Sequence, residues 1–306
     1  MTTQEYDVAV IGAGASGLTA AVQCAERGAS VVCIEQAGLP GGLVVNVGRI
    51  DGFPALAPLS GAALADALGQ RCRELEVRML EAEATALQAV GSFHAIATTA
   101  GAVRARRVIV ASGARLRQLG VPGEAELAGR GVSQCDWCDG GFFRDEPVVV
   151  VGGGDSAFQA ALHLAAICSA VTIVMRGSAM RARRSYVQAA AGNERIAFLW
   201  DTDVLRINGS GKVESVTLRD RLEGTESDHP ATGVFVFVGL EPRAAFLPPQ
   251  VARDERLAVV TDADCRTSLP GVFAVGAVRS GYRGQLVSAC GEGAAAAAAA
   301  AEGLEE

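Results

Sequence analysis

Short, wholly apolar runs alternate along the chain with stretches of helical character. Val8 to Ile11 has no polar member, which predicts a strand buried on both faces. A helix follows at once in "ASGLTAAVQCAERG", and a second apolar run, Val31 to Ile34, ends in Glu35. The order returns later: the run Val148 to Val151, the helix "DSAFQAALHLAA", then the run Val171 to Val174. Strand, helix and strand in that order predict a βαβ unit with parallel strands. Val108 to Ala111 and Val272 to Val275 predict further strands, and a helix starts near Gln285 and Leu286. Phe198 and Trp200 in "IAFLW" read as core strand residues. "NGSGKVES" and "LEGTES" read as strand-connecting turns. The closing alanine run is a strong helix former and predicts a packed last helix.

Both first strands of these units run into glycines. Gly12, Gly14 and Gly17 fill G-x-G-x-x-G, and Ala15 opens the helix. Gly12 permits the tight turn, Gly14 lets backbone approach a pyrophosphate, and Gly17 lets helix pack on strand. The helix N-terminus faces the phosphates, and Glu35, followed by Gln36, accepts from ribose hydroxyls. Gly152, Gly154 and Ala157 fill G-x-G-x-x-A, with Asp155 and Ser156 at the helix start. This second unit ends not in an acid but in Met175-Arg176-Gly177, with Arg181, Arg183 and Arg184 after it. Arginine there suits a 2′-phosphate and favours NADP over NAD. The alternative is that these arginines form only a solvated loop.

Two dinucleotide folds point to two dinucleotides, the first of them FAD. Ser112-Gly113 is a turn that passes close to the first cofactor, after Ala111. Gly120, Pro122 and Gly123 mark a hinge, and a matching exit lies near Pro242. The expected fold is therefore α/β, with two Rossmann-like dinucleotide-binding domains of three-layer ββα type, the second inserted in the first. Residues 1–116 and 244–306 make a discontinuous FAD-binding domain, and 117–243 an NAD(P)H-binding and redox-disulfide domain. After the exit, Gly276 is a turn, and the N-terminus of the next helix is expected at the flavin, where it would stabilise the reduced form.

Composition narrows the partners. The 306 residues are half hydrophobic, enough for a sizeable core, and carry a net charge of −7. That charge disfavours nucleic acid and anionic membranes. The N-terminus shows no signal-peptide pattern and no apolar segment is long enough to span a bilayer, so a cytoplasmic location is expected. Of eight cysteines, Cys24, Cys33, Cys72 and Cys168 lie in apolar patterns and read as small buried hydrophobes. Cys135 and Cys138, in "SQCDWCDGG", are a redox pair, half of a metal site, or inert thiols. A four-cysteine zinc site needs a second close pair, which the sequence lacks, so no metal is expected. Asp136 puts a negative charge between the cysteines, which should raise their pKa and weaken attack. Trp137 adds bulk and a stacking face.

Taken together, "IGAGASGLTAA", "GGLVVNVGRIDGFP", "VIVASGA", "GRGVSQCDWCDGGFFRDEPVVVVGGGDSA" and "GVFAVGAVRSGYRGQLVSACGEG" resemble the low-molecular-weight thioredoxin reductase family of flavoproteins. The fourth segment is the most specific, a C-x-x-C-D immediately before the nicotinamide-domain strand. Glutathione-reductase-type enzymes carry their cysteines near the N-terminus and a catalytic histidine near the C-terminus. None of His94, His163 and His229 is near the C-terminus, which leaves Asp139 as the nearest acid/base. His163, on the helix after the second fingerprint, reads as structural.

The resemblance implies a homodimer in which electrons pass from NADPH to FAD, to the disulfide, and on to a thioredoxin-like protein or small disulfide. It implies that Cys138 faces the flavin, Cys135 exchanges with the substrate disulfide, and Asp139 moves the proton. It also implies FAD contacts at Gly42, Leu43, Asn46, Ala111, Gly113, Gly276, Gln285 and Leu286, and NADP contacts at Asp155, Ser156, Arg176 and Arg181. Four positions depart from the family: Ala277 where it has an acid, Leu43 where it has glutamine, Met175 where it has histidine, and Gly177 where it has arginine. The last, which weakens NADPH recognition, motivates an alternative, a flavin-dependent dithiol oxidase that passes electrons to oxygen. A ferredoxin-linked flavoprotein with an inert pair, and a non-enzymatic redox-sensing flavoprotein, are the remaining readings.

Overall fold

A computed structural model describes residues 5–51, 53, 59–302 and 304. It begins with β1 (Glu5–Ile11), α1 (Ala15–Ala25) and β2 (Val31–Glu35), a parallel βαβ unit in register from Val8 opposite Val31 to Ile11 opposite Ile34. A 3-10 turn (Gly42–Asn46), α2 (Gly61–Glu74) and β3 (Arg78–Glu81) follow, and β3 adds in parallel to β2. The Ser60 hydroxyl accepts from the Ala63 amide at 3.1 Å and caps α2. β4 (Ala84–Val90), β5 (Phe93–Thr98) and β6 (Gly101–Val110) form an antiparallel meander that returns β6 alongside β1. β7 (Ala114–Leu116) leads onward.

The next elements are β8 (Val132–Ser133), α3 (Asp136–Asp139), β9 (Pro147–Val151), α4 (Asp155–Leu164) and β10 (Ala170–Val174). They continue with α5 (Arg184–Ala191), β11 (Ile196–Leu199), β12 (Thr202–Asn208), β13 (Ser215–Asp220), β14 (Glu226–Pro230) and β15 (Gly233–Val236). The chain closes with β16 (Leu240–Pro242), β17 (Val272–Ala274) and α6 (Leu286–Ala301).

These elements form two compact units, Met1–Arg115 with Glu241–Glu306, and Leu116–Leu240. The two chain crossings, β7 and β16, pair with each other as a two-stranded ladder.

In the discontinuous unit the sheet runs β3-β2-β1-β6-β5-β4, and β17 pairs in parallel with Val108–Val110 of β6, beyond the stretch that β5 pairs. Alternation decides the faces. Val8 and Val10 pack with α1, α2 and α6, whereas Ala9 and Ile11 pack with Leu87, Ile96 and Val103 of the meander. Both faces are covered, which is why Val8–Ile11 of β1 and Val31–Ile34 of β2 are continuously apolar. α6 lies so close to α1 that a Cβ on Gly293 would stand 2.4 Å from the Ser16 carbonyl oxygen. Alanines are the side chains that such an approach accommodates.

The inserted unit repeats the plan. Its parallel sheet runs β11-β10-β9-β15-β8. Val148 and Val150 pack with Phe158, Ala161 and Leu164 of α4, while Val149 and Val151 face Ile207, Val216 and Leu218 of the β12-β13-β14 sheet. The chain is thus α/β, two Rossmann-like domains with the second inserted in the first. Among the described residues no helix is long and apolar enough to cross a membrane.

Candidate functional site

The first glycine turn separates glycines required by the protein from glycines that leave space. A Cβ on Gly12, which has a φ of 105°, would lie 2.4 Å from the Ala111 carbonyl oxygen, and one on Gly17 would lie 1.9 Å from the Gly12 oxygen. Packing alone demands both. A Cβ on Gly14 would come no nearer than 4.0 Å to its closest neighbour, and one on Gly113 would meet nothing within 4 Å. Gly14 precedes Ala15 at the start of α1 and supplies no side-chain cap, so the first amides of α1 are open. An uncapped helix start beside bare backbone fits the pyrophosphate of a dinucleotide.

Neighbouring segments shape this cradle. The Glu35 carboxylate accepts from the Ala13 amide at 2.7 Å and the Ala37 amide at 3.0 Å, so it braces the turn, with Gln36 exposed beside it. Gly41 bridges to Gly14, and a Cβ on Gly42 would lie 3.3 Å from the Gly14 Cα. Leu43 and Asn46 lie on the 3-10 turn that follows, both exposed. Gly276, with a φ of 71°, packs on Ser16, and its amide donates to Glu292 at 2.7 Å. Arg279 pairs with the other Glu292 oxygen at 2.7 Å. Gln285 precedes α6 and Leu286 is its first residue.

The second turn is built alike. A Cβ on Gly152 would lie 2.3 Å from the Phe237 oxygen, whereas one on Gly154 would meet nothing within 4 Å. Asp155 and Ser156 open α4. One Asp155 oxygen accepts from the Arg183 amide at 2.8 Å, and the other pairs with Arg183 Nε at 2.8 Å. The Arg181 amide donates to the Gly153 oxygen at 2.9 Å. The arginine loop is therefore tied to the turn rather than simply solvated. Arg176 and Arg181 are exposed. Gly177 has open space where a side chain would stand, so packing does not explain the missing arginine.

Cys135 and Cys138 are joined, with an S–S distance of 2.08 Å. Cys135 stands at the N-cap of α3, where its sulfur accepts from the Cys138 amide at 3.1 Å. Ser133, buried on β8, accepts from the Cys135 amide at 3.0 Å and donates to the Asp139 carboxylate at 2.6 Å. One hydroxyl thus links the candidate acid to the backbone of the candidate nucleophile.

The carboxylate of Asp136 points away from solvent and has a partner. Its side chain is buried, and Oδ2 lies 2.8 Å from His163 Nδ1 on α4. Trp137 stacks on the same imidazole, with centroids 3.8 Å apart and an interplanar angle of 11°.

Residues 6–302 match the family model of the pyridine nucleotide-disulphide oxidoreductases. The chain belongs to this family. It is 38% identical over 303 residues to the thioredoxin reductase of Listeria innocua, across 98% of this chain and 94% of that protein. Among solved structures, T. acidophilum thioredoxin reductase superposes with a TM-score of 0.94 at 33% identity, across 99% of both chains. The Lactococcus lactis thioredoxin reductase gives 0.93 at 36% identity, across 96% of this chain and 97% of that one.

In this pyridine nucleotide-disulphide oxidoreductase one cysteine pair is joined. The other six cysteines are free, and burial pushes their thiols up: Cys24 to about 12, and Cys72, Cys168 and Cys265 to about 11. Cys33 and Cys290 are raised by burial too. Sequence reasoning missed Ser133, Glu292 and the partnership of His163. Ser133 had a local signal, since a serine two residues before another often binds its amide. His163 had none, because nothing in the α4 pattern points to a residue 27 positions earlier.

Proposed function

We propose that this chain is an FAD-dependent disulfide oxidoreductase that passes electrons from NADPH to the Cys135–Cys138 disulfide and on to a protein or small disulfide. The observation that carries the reading is the closed disulfide, in a chain with two glycine turns whose Gly14 and Gly154 leave the start of the following helix open. The discontinuous unit would hold FAD through the Gly12–Gly17 turn, Glu35, Gly42, Gly113 and the start of α6. The inserted unit would hold NADPH at Gly152–Ser156, with Arg176 and Arg181 toward the 2′-phosphate. Bound FAD would supply two-electron transfer between nicotinamide and disulfide.

The chain's own residues do the sulfur chemistry. Cys135 exchanges with the substrate disulfide, and its sulfur is stabilised as a thiolate by the Cys138 amide. Cys138 then attacks the Cys135 sulfur of the mixed disulfide, which releases the substrate's remaining thiolate and restores the internal disulfide, and Asp139, held by Ser133, carries the proton to the leaving sulfur. A homodimer acting in the cytoplasm on a thioredoxin-like protein or small disulfide completes the proposal.

The test is anaerobic mixing of the flavin-loaded protein with NADPH. The flavin absorbance is expected to bleach, and Cys138→Ser is expected to retain bleaching while losing disulfide reduction. No bleaching at millimolar NADPH would exclude the NADPH-dependent reductase; of the readings then left, the missing arginine at Gly177 favours a dithiol oxidase.

A further inference from the structure

One imidazole holds both residues that separate the two cysteines. His163 Nδ1 meets the Asp136 carboxylate at 2.8 Å, and the ring lies flat on the Trp137 indole at 3.8 Å. The His163 and Asp136 side chains are mostly buried, at 19% and 12% exposure. Around them α3 sits tightly on α4, since a Cβ on Gly140 would lie 3.0 Å from Leu164 Cδ2. Neither contact to His163 involves a sulfur.

That separation has a redox consequence. When the disulfide opens, the covalent tie between residues 135 and 138 is gone, but the Asp136 hydrogen bond and the Trp137 stack remain available. The turn then stays folded on α4, with its two thiols side by side. Closing the disulfide from such a state orders little that is not already ordered, so less conformational entropy opposes it. The dithiol–disulfide equilibrium moves toward the disulfide.

We propose that His163 is a positioning residue for the Cys135–Cys138 pair, which grips Asp136 and Trp137 and thereby biases the pair toward its oxidised form. The inference rests on the reading of this pair as redox-active and assigns the residue that tunes it. His163 touches neither sulfur and acts through the two residues between them.

The test is a glutathione titration of the flavin-loaded protein. Two glutathione thiols reduce the protein disulfide, giving the dithiol and one glutathione disulfide, with two electrons and two protons transferred to the protein. After equilibration at graded glutathione ratios and an acid quench, alkylation and mass measurement count the open pairs. Cys135→Ser serves as the blank.

His163→Ala is expected to shift the equilibrium constant about tenfold toward the dithiol, about 30 mV for this two-electron couple. Trp137→Ala is expected to shift it in the same direction. The double variant should shift less than the sum of the two, because both remove one grip. His163→Asn, which keeps a donor near the Nδ1 position for Asp136, should shift less than His163→Ala.

Phe158→Leu controls for general loosening of α4, since Phe158 lies in the core of the inserted unit. A folded His163→Ala protein whose equilibrium stays within about twofold of the parent would overturn the proposal. So would an equal shift in Phe158→Leu. The titration uses no NADPH and no turnover, so it can fail while the reductase reading stands, and the reverse.

Discussion

Six cysteines of this chain have thiols raised by burial, and five of them are fully buried. At neutral pH they present almost no thiolate, the form that attacks an alkylating agent. The reduced protein, kept folded and treated with iodoacetamide, is therefore expected to gain two adducts quickly, at Cys135 and Cys138. The five fully buried thiols should react only after unfolding, with the partly buried Cys290 slower than the pair, and intact mass against time checks it. A third adduct forming as fast as the first two would show that burial does not govern these thiols. A second residue gives a pH signature. His94 on β5 is buried with Nδ1 unpartnered, and burial, helped by the Arg107 charge, holds its pKa below the usual histidine value. The unfolded chain then takes up the proton first. The contribution of neutral His94 is full above about pH 6.5 and is lost as pH falls through the lowered native value. The urea midpoint should drop between about pH 8 and about pH 5.5, and His94→Phe should drop less, while equal drops would rule out the assignment.

The glycine turn between β1 and α1 can be tested as an element, because its glycines answer to different demands. Gly17→Ala drives a methyl into the Gly12 oxygen and should unfold the discontinuous unit or prevent its folding. Gly14→Ala meets no protein atom closer than 4.0 Å and should cost the fold about 1 kcal/mol or less. Its methyl would instead enter the opening, so flavin content should fall sharply while urea stability of the flavin-free protein barely changes. Equal stability losses in the two variants would contradict the distinction. The βαβ units were legible for the same physical reason: strands covered on both faces must be continuously apolar, and turns this tight admit only glycine. The last helix was legible as a helix but not in its orientation. Ala296 and Ala297 are buried and Ala295 is exposed, yet the side chains are identical, so only the packing of α1 decides which face turns inward. The sulfur pair was legible from its spacing and its place ahead of β9. The grip of His163 was not, because it depends on how α3 settles on α4, which no local pattern encodes.

At the scale of the whole chain, each unit carries apolar clusters of its own on both faces of its sheet. Separate cores with two covalent connections should melt separately rather than as one two-state system. Calorimetry of the flavin-free protein is expected to show two transitions, with added FAD raising one and NADP⁺ the other. A single transition raised by both ligands would refute that division. The β7–β16 ladder adds a consequence for heredity and for engineering. Because the entry and exit of the inserted unit are neighbouring strands, residues 116–240 form one uninterrupted reading segment whose ends already meet. The disulfide, Ser133, Asp139 and the histidine that grips the turn all lie inside it. A single crossover at each end would carry this chemistry into a relative's frame as one cassette, and leave the recipient's first glycine cradle unaltered.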